Sequence, residues 1–451
     1  MATIHWFRRD LRLADNPSLL AAIEEAEKSP DRRVVPLFVL DPDEWKELGA
    51  VRGTYLVRSL NELGKSLDRN LLIRHGKPEK VLPEVIKAAN ASSVHIATDY
   101  VPDVMKRDLK IEKLIDSRLV RSGSPYAIAP GRVTKDDGTP YRVFTPYYKA
   151  WVNHGWRLPA VKPNSSNWWM PLECEGRPAE PDIGDLVLPP AGEAAALDRW
   201  ETFKVTGLKN YAYGRNRPDL VNGTSRLSIP LRFGEIHPRT LLKDLTSADE
   251  VYQKEICWRE FYADVLHHNP HTISQNLNKQ YDLMPWDTSK QAEENFKAWC
   301  YGKTGFPFVD AGMRQLLAEG WMHNRVRMVV ASFLIKDLHI DWRKGAIWFM
   351  QWLADGDIAS NQHGWQWTAG SGTDASPFYR VFNPIMQGLK FDPNGDYVRK
   401  YIPELAHLSG EGAHEPWDVA DGYKYGYPKA IVDHSVERIR ALADWEKTKP
   451  R

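Results

Sequence analysis

MATIHWFRRDLRLADNPSLLAAIEEAEKSPDRRVVPLFVL, residues 1–40, carries an apolar run at 4–7, a helical pattern over 17–28 and a β-branched run at 34–40. Strand, helix and strand within forty residues make a βαβ unit, whose crossover leaves the two strands parallel. Further runs at 71–74, 94–97 and 126–129 alternate with helical patterns over 54–68, 78–90 and 104–117. Residues 1–130 therefore predict a doubly wound parallel α/β sheet with helices on both faces. Such a sheet offers a ligand crevice at the carboxyl ends of its strands. No GxGxxG follows the first strand, which argues against a dinucleotide in the usual pose there.

Beyond this domain the sequence changes character. Residues 131–198 are turn-rich and then dense in Pro, Gly and Ser, and predict an interdomain connector draped over the surface. From 199 to 451 a 3.6-residue apolar spacing predicts an all-helical second domain, with long helices over 249–268, 308–319, 322–338 and 343–354. A chain of 451 residues needs more than one core, which agrees with the division.

Hydrophobic residues at 42% and charged residues at 26% exclude a largely disordered chain. Cys174, Cys257 and Cys300 are far apart and form no CxxC, which excludes a disulfide framework, a zinc finger and a cysteine-held iron–sulfur cluster. No 18-residue apolar run and no signal-peptide pattern occur, so a cytoplasmic location and no membrane partner are expected. The net charge of +1 means that any face for nucleic acid is local. Eighteen tryptophans are a surplus, fitting a large aromatic core, stacking on bases or a flat cofactor, or electron transfer.

Several motifs carry chemistry. In KEICWREFY, Glu255, Trp258 and Arg259 fall on one helix face and suit a ligand with a hydrogen-bonding edge and a π-face; the same spacing suits an ion pair beside a core Trp. In GWMHNRVRM, Asn324, Arg327 and Met328 share a face while Arg325 points to the other side, so one helix can touch two ligands. Thr224, Ser225 and Ser228 around Arg226 offer donors to a phosphate, or simply an N-cap. His267, His268 and His271 predict no metal site, because Pro270 breaks the helix such ligands need. Residues 341–392 mix Trp342, Trp348, Trp352, Trp365 and Trp367 with Asp355, Asp357 and Asn361, without the nucleophile and base of a hydrolase. That combination favours a cofactor enzyme.

These stretches, with WFRRDLR at 6–12, TSRLS at 224–228, DGDIASNQHGWQW at 355–367 and FNPIMQGLKFDPNGDYVRKYIPEL at 382–405, resemble the DNA photolyase and cryptochrome family over nearly the entire chain. Within it the resemblance is to bacterial photolyases that split cyclobutane pyrimidine dimers. It implies an antenna domain, a connector and a helical domain holding FAD in a folded conformation, with a second chromophore of folate, deazaflavin or flavin type. It implies UV-damaged DNA as the partner and light-driven electron transfer to a flipped-out dimer by a monomer. Thr224, Ser225, Arg226, Leu227 and Ser228 are then the flavin phosphate loop, preceded by Tyr213. Arg327, Asp355 and Asp357 lie at the ribityl and ring, and Asn361 faces the reactive flavin nitrogen. Glu255, Trp258, Asn324, Arg325, Met328, Trp367 and Gln387 receive the lesion, with Glu255, Asn324 and Asn361 nearest the chemistry, and Arg217 contacts a phosphate. Trp365 and Trp342 carry an electron toward the flavin, with Trp286 or Trp299 as the third member.

Three departures accompany the resemblance. Tyr252 stands where many relatives have Trp, the stretch from Arg217 to Thr224 is about one residue short, and Asp103 and Val104 replace the Asn and Glu of folate-using bacterial relatives. The family's alternatives are a six-four photolyase, which places a histidine pair where Asn324 and Met328 stand, and a signalling cryptochrome without repair activity.

Overall fold

The computed structural model describes residues 1–163, 166–374 and 379–449. Its sheet contains β1 (Ala2–Phe7), β2 (Arg33–Leu40), β3 (Leu72–His75), β4 (Ala91–Ile96) and β5 (Leu119–Arg121), in the order β3-β2-β1-β4-β5 with every pair parallel. The crossovers are α1 (Pro17–Ala26), α2 (Pro42–Ser66), α3 (Pro78–Ala89) and α4 (Pro102–Leu114). Ile4, Trp6, Leu37 and Val94 face Val81 and Val85 of α3 and Ile111 of α4; Phe7, Phe38 and Leu40 face Leu19 of α1 and Tyr55 and Leu60 of α2. Both faces are thus covered, which is why the strands read as continuous apolar runs.

One strand moves. Residues 126–129 form no strand; the fifth is Leu119–Arg121, a three-residue edge. The backbone N–H groups of Ala127 and Ile128 donate instead to the carboxylate of Glu260, so this apolar run is satisfied from the helical domain.

The connector also differs from expectation, because it is built into both halves. Its α5 (Phe144–His154) buries Tyr147 and Trp151 against Phe261 and Trp200. Its β6 (Asn167–Trp168) pairs with β2, and Trp169, Met170 and Leu172 lie against the sheet core. The aromatic spacing of FTPYYKAW gives it an apolar face that must be covered.

The helical half begins with α6 (Glu193–Thr206), α7 (Tyr211–Gly214), α8 (Ser228–Phe233) and α9 (Pro238–Asp244). It continues through α10 (Glu250–His268), α11 (Lys290–Cys300), α12 (Pro307–Glu319), α13 (Asn324–Lys336), α14 (Trp342–Trp352) and α15 (Ile358–Ala369). It closes with α16 (Pro384–Phe391), α17 (Asp396–Tyr401), α18 (Glu411–His414) and α19 (His434–Thr448). His323, Asp341 and Asp357 cap α13, α14 and α15 with side-chain acceptors, fixing where each helix starts. Gly345 lets α14 and α15 approach: a Cβ there would stand 2.1 Å from the Trp365 ring. Among the described residues no helix is long and apolar enough to cross a membrane.

Candidate active site

Helices α10, α13 and α15 and the loop into α8 surround a cavity of about 480 Å³, within the usual range for a ligand pocket. From α10, Tyr252, Glu255, Trp258, Arg259 and Tyr262 line it, spaced at three or four residues as one helix face requires. The ring of Trp258 lies parallel to Phe144, with centroids 3.7 Å apart and planes at 6°, so only its other face is free. Glu255 Oε1 stands 2.7 Å from Arg215 as an ion pair without an aligned hydrogen bond. Burial pushes the Glu255 carboxyl up, and Arg215 and Arg325 oppose that shift.

Asn324, Arg325, Arg327 and Met328 line the cavity from α13, and its two arginines diverge as their spacing predicts. Arg325 donates to Asn216 Oδ1 at 2.7 Å, while Arg327 donates to Asp355 Oδ2 at 2.8 Å. From α15, Asn361, Trp365 and Trp367 line it, with Asp355 and Asp357 just ahead. Asn361 Nδ2 donates to the Ala346 carbonyl at 3.1 Å. Asp357 Oδ1 accepts from the Ser360 N–H at 3.0 Å, and its Oδ2 accepts from Arg9 at 2.8 Å. Burial alone would raise the Asp357 carboxyl, but Arg9, Arg259 and Arg232 outweigh it and hold the group below the usual carboxylate range.

In the 224–228 loop, Ser225, Leu227 and Ser228 reach the cavity. Thr224 and Arg226 do not line it: the Thr224 carbonyl accepts from Arg199, and Arg226 lies over Trp321 and pairs with Glu319 at 2.8 Å. Arg226 has φ of +53°, a left-handed conformation that costs a non-glycine residue about 1–2 kcal/mol and that these contacts offset. The Tyr252 hydroxyl donates to Ser225 Oγ at 2.9 Å.

Tyr213, Arg217 and Gln387, expected at the site, also stand off the cavity. Tyr213 is 60% exposed and outside the cavity, where Tyr211 takes the wall instead. Arg217 does not reach the cavity either; its Nε and Nη2 donate to Asp219 and its Nη1 to the Tyr213 hydroxyl. Arg215 lines the cavity in its place. The stretch YAYGRNR holds two tyrosines and two arginines two residues apart, and a helical turn sends the members of each pair in opposite directions. Sequence spacing alone could not choose between them. Gln387, on α16, also stands off the cavity, its Oε1 buried with no hydrogen-bond partner among the described residues.

The tryptophans divide. Trp365 lines the cavity, and the fully buried Trp299 ring touches it edge-on at 6.1 Å. Trp342 is also fully buried, its Nε1 donating to Asn276 Oδ1 at 3.0 Å. Trp286 packs partly exposed against the same core. Arg9 and Arg232 are functional candidates that the sequence did not flag.

Asp355 Oδ1 and Trp365 Nε1, both on lining residues, are buried without a hydrogen-bond partner among the described residues. One acceptor and one donor are therefore left for a ligand. The Ser225 and Ser228 hydroxyls, an arginine-balanced carboxylate pair beside Asn361 and the open face of Trp258 fit a cofactor with phosphates and a polar-edged ring system such as FAD. This site defines a cofactor-dependent enzyme.

Comparison with known proteins agrees. Residues 252–447 match the FAD binding domain of DNA photolyase, and residues 3–164 match the family described as DNA photolyase. The chain is 41% identical to a deoxyribodipyrimidine photo-lyase of Agrobacterium fabrum, over 99% of this chain and 98% of that one. A class III photolyase structure from Agrobacterium tumefaciens superposes with a TM-score of 0.89 at 39% identity, covering 99% and 97%. An archaeal photolyase from Sulfolobus tokodaii, described with two FAD molecules, gives 0.84 at 29%, covering 99% and 100%. The chain belongs to the DNA photolyase family and carries its FAD-binding domain.

Proposed function

We propose that Glu255, Trp258, Asn324, Arg325, Met328 and Trp367 form the wall that receives a flipped-out lesion, in an enzyme whose activity is light-driven repair of cyclobutane pyrimidine dimers in DNA. The observation that carries this is continuity: these groups share one cavity with Asp355, Asp357 and Asn361. FAD held by these residues would supply the light-driven one-electron chemistry that splits the dimer. The chain's own task is to hold and orient, as is usual where a cofactor carries the chemistry.

Extrusion of the dimer costs a few kcal/mol, least where damage has already weakened pairing, and this supplies selectivity. Glu255, its carboxyl raised by burial, is suited to hydrogen-bond a pyrimidine edge, and Trp258 offers one stacking face. Ser225, Leu227 and Ser228 hold the cofactor's phosphates, with Thr224 and Arg226 bracing the loop. Asp355, Asp357 and Arg327 would hold its ribityl and ring, with Asn361 beside the ring. Trp365, Trp342 and Trp286 or Trp299 relay electrons. The reading includes an antenna chromophore of folate, deazaflavin or flavin type, distinguished by absorption of the purified protein. It also includes a cytoplasmic monomer, the three free cysteines fitting a reducing compartment.

The test is illumination of reduced enzyme with dimer-bearing oligonucleotides. Thymines should be restored and six-four products left unchanged. Repair of six-four products without dimer repair sinks the reading.

A further inference from the structure

Both oxygens of Asp357 are committed, one to the first turn of α15 and one to Arg9. Arg9 does not come from the helical half: it follows β1, 348 residues earlier in the chain. Its guanidinium also stands 3.6 Å from Asp99, beyond β4, and its Nε has no hydrogen-bond partner among the described residues. The side chains of Arg9 and Asp357 are 14% and 11% exposed, so water screens the pair little.

The backbone of the same segment is keyed to the other wall of the site. Gly234, at φ of +71°, ends α8, and a Cβ there would lie 1.9 Å from the Arg9 carbonyl oxygen. The Leu11 N–H donates to the Phe233 carbonyl at 3.3 Å, and Arg12 donates to the Gly234 carbonyl at 2.9 Å. Residues 9–12 of the α/β domain thus grip the end of α8 and the start of α15 at once. Those elements carry the 224–228 loop and Asn361. Arg232 and Arg259 also bring charge near Asp357, but they donate to backbone carbonyls, of Gly356 and of Pro125 and Leu231.

We propose that Arg9 is a positioning residue for the flavin: from the α/β domain it fixes the orientation of the Asp357 carboxylate, and the segment following the first strand thereby tunes the affinity and midpoint potential of FAD. The inference rests on reading the cavity as the flavin site. Loss of the guanidinium leaves an ionised carboxylate without its only hydrogen-bonded cation among the described residues, which disfavours added electron density on the ring.

Spectroelectrochemistry and FAD titration of Arg9→Gln, Arg9→Lys, Asp357→Asn, Asp355→Asn and the Arg9→Gln/Asp357→Asn double variant test this. Arg9→Gln should weaken FAD on the order of tenfold. It should also lower the midpoint potential by about 30 mV, the equivalent of a tenfold change in a two-electron couple. Arg9→Lys should restore most of the potential, and the double variant should show no shift beyond Asp357→Asn alone. Wild-type potential and affinity in Arg9→Gln, or an undiminished Arg9→Gln effect in the Asp357→Asn background, overturns the proposal. Asp355→Asn separates the two levels: if it weakens FAD while Arg9→Gln does not, only this inference fails, and if neither does, the flavin site itself is misread. Should Arg9→Gln not fold, Arg9→Lys carries the test, because it keeps the charge and loses the planar fork: weaker FAD at near-native potential supports the proposal, and an unchanged affinity overturns it.

Discussion

Trp258→Ala isolates what the enzyme gains from a flipped lesion. Phe144 covers one face of the indole, so a single face is open to the cavity and one base can stack on it. Such a stack is worth about 1–3 kcal/mol, so its loss should cut the preference for dimer-bearing over intact duplex by about 5- to 150-fold. The truncation also removes Trp258 contacts with Phe144, Phe261 and Tyr262, but these exist without DNA and lower stability instead of discrimination. Trp258→Phe keeps a smaller ring and should fall between. The assay is competitive titration of labelled lesion-bearing and intact duplexes at several salt concentrations, in the dark, with FAD content checked for each variant. A uniform loss on both DNAs, or no loss on either, would refute the stacking role.

Arg325→Ala, whose guanidinium is hydrogen-bonded to the Asn216 amide and not to a carboxylate, should reduce the salt dependence of DNA binding by a slope of about 1, while Arg217→Ala, already neutralised by Asp219, should leave it unchanged. Trp342→Phe should block photoreduction of oxidised FAD yet spare repair by enzyme reduced beforehand; photoreduction persisting there but lost in Trp299→Phe would shift the route to the ring touching Trp365. Lys336, 3% exposed, has its pKa lowered to about 7 by burial, so the folded chain sheds a proton the unfolded chain keeps, and stability falls as pH drops from about 10.5 to 7. Lys336→Met should therefore stabilise at pH 7 by about 1–4 kcal/mol, and denaturant midpoints of the two proteins should converge between pH 7.5 and 9.5.

Much of this molecule is legible because its periodicities are clean. Parallel strands buried on both faces and helices with a repeating apolar face announce themselves, and their order gives the two-domain plan. The fifth strand did not, because residues 126–129 are apolar and satisfied by Glu260, a partner 132 or 133 positions away. At the site, Glu255 with Trp258 and Asn324 with Met328 were readable because one helix sets their spacing. Tyr211 and Arg215 were hidden by near-duplicates two residues on. The Arg9–Asp357 pair had no local signal at all, since it is set by how two domains meet.

The docking of α5 on α10 has a consequence for how the chain is made. Tyr147 and Trp151 are synthesised roughly a hundred residues before the helix bearing Phe261 that covers them. At translation rates of about 5–20 residues per second, that aromatic face waits on the order of 5–20 s on the ribosome with its permanent neighbour still unmade. The α/β domain can close early around its own sheet, but the segment leaving it cannot. The interval before α10 emerges is the window in which a nascent chain is most open to sticking, and slowing synthesis between residues 155 and 250 should lower the yield of folded protein more than slowing it after 270.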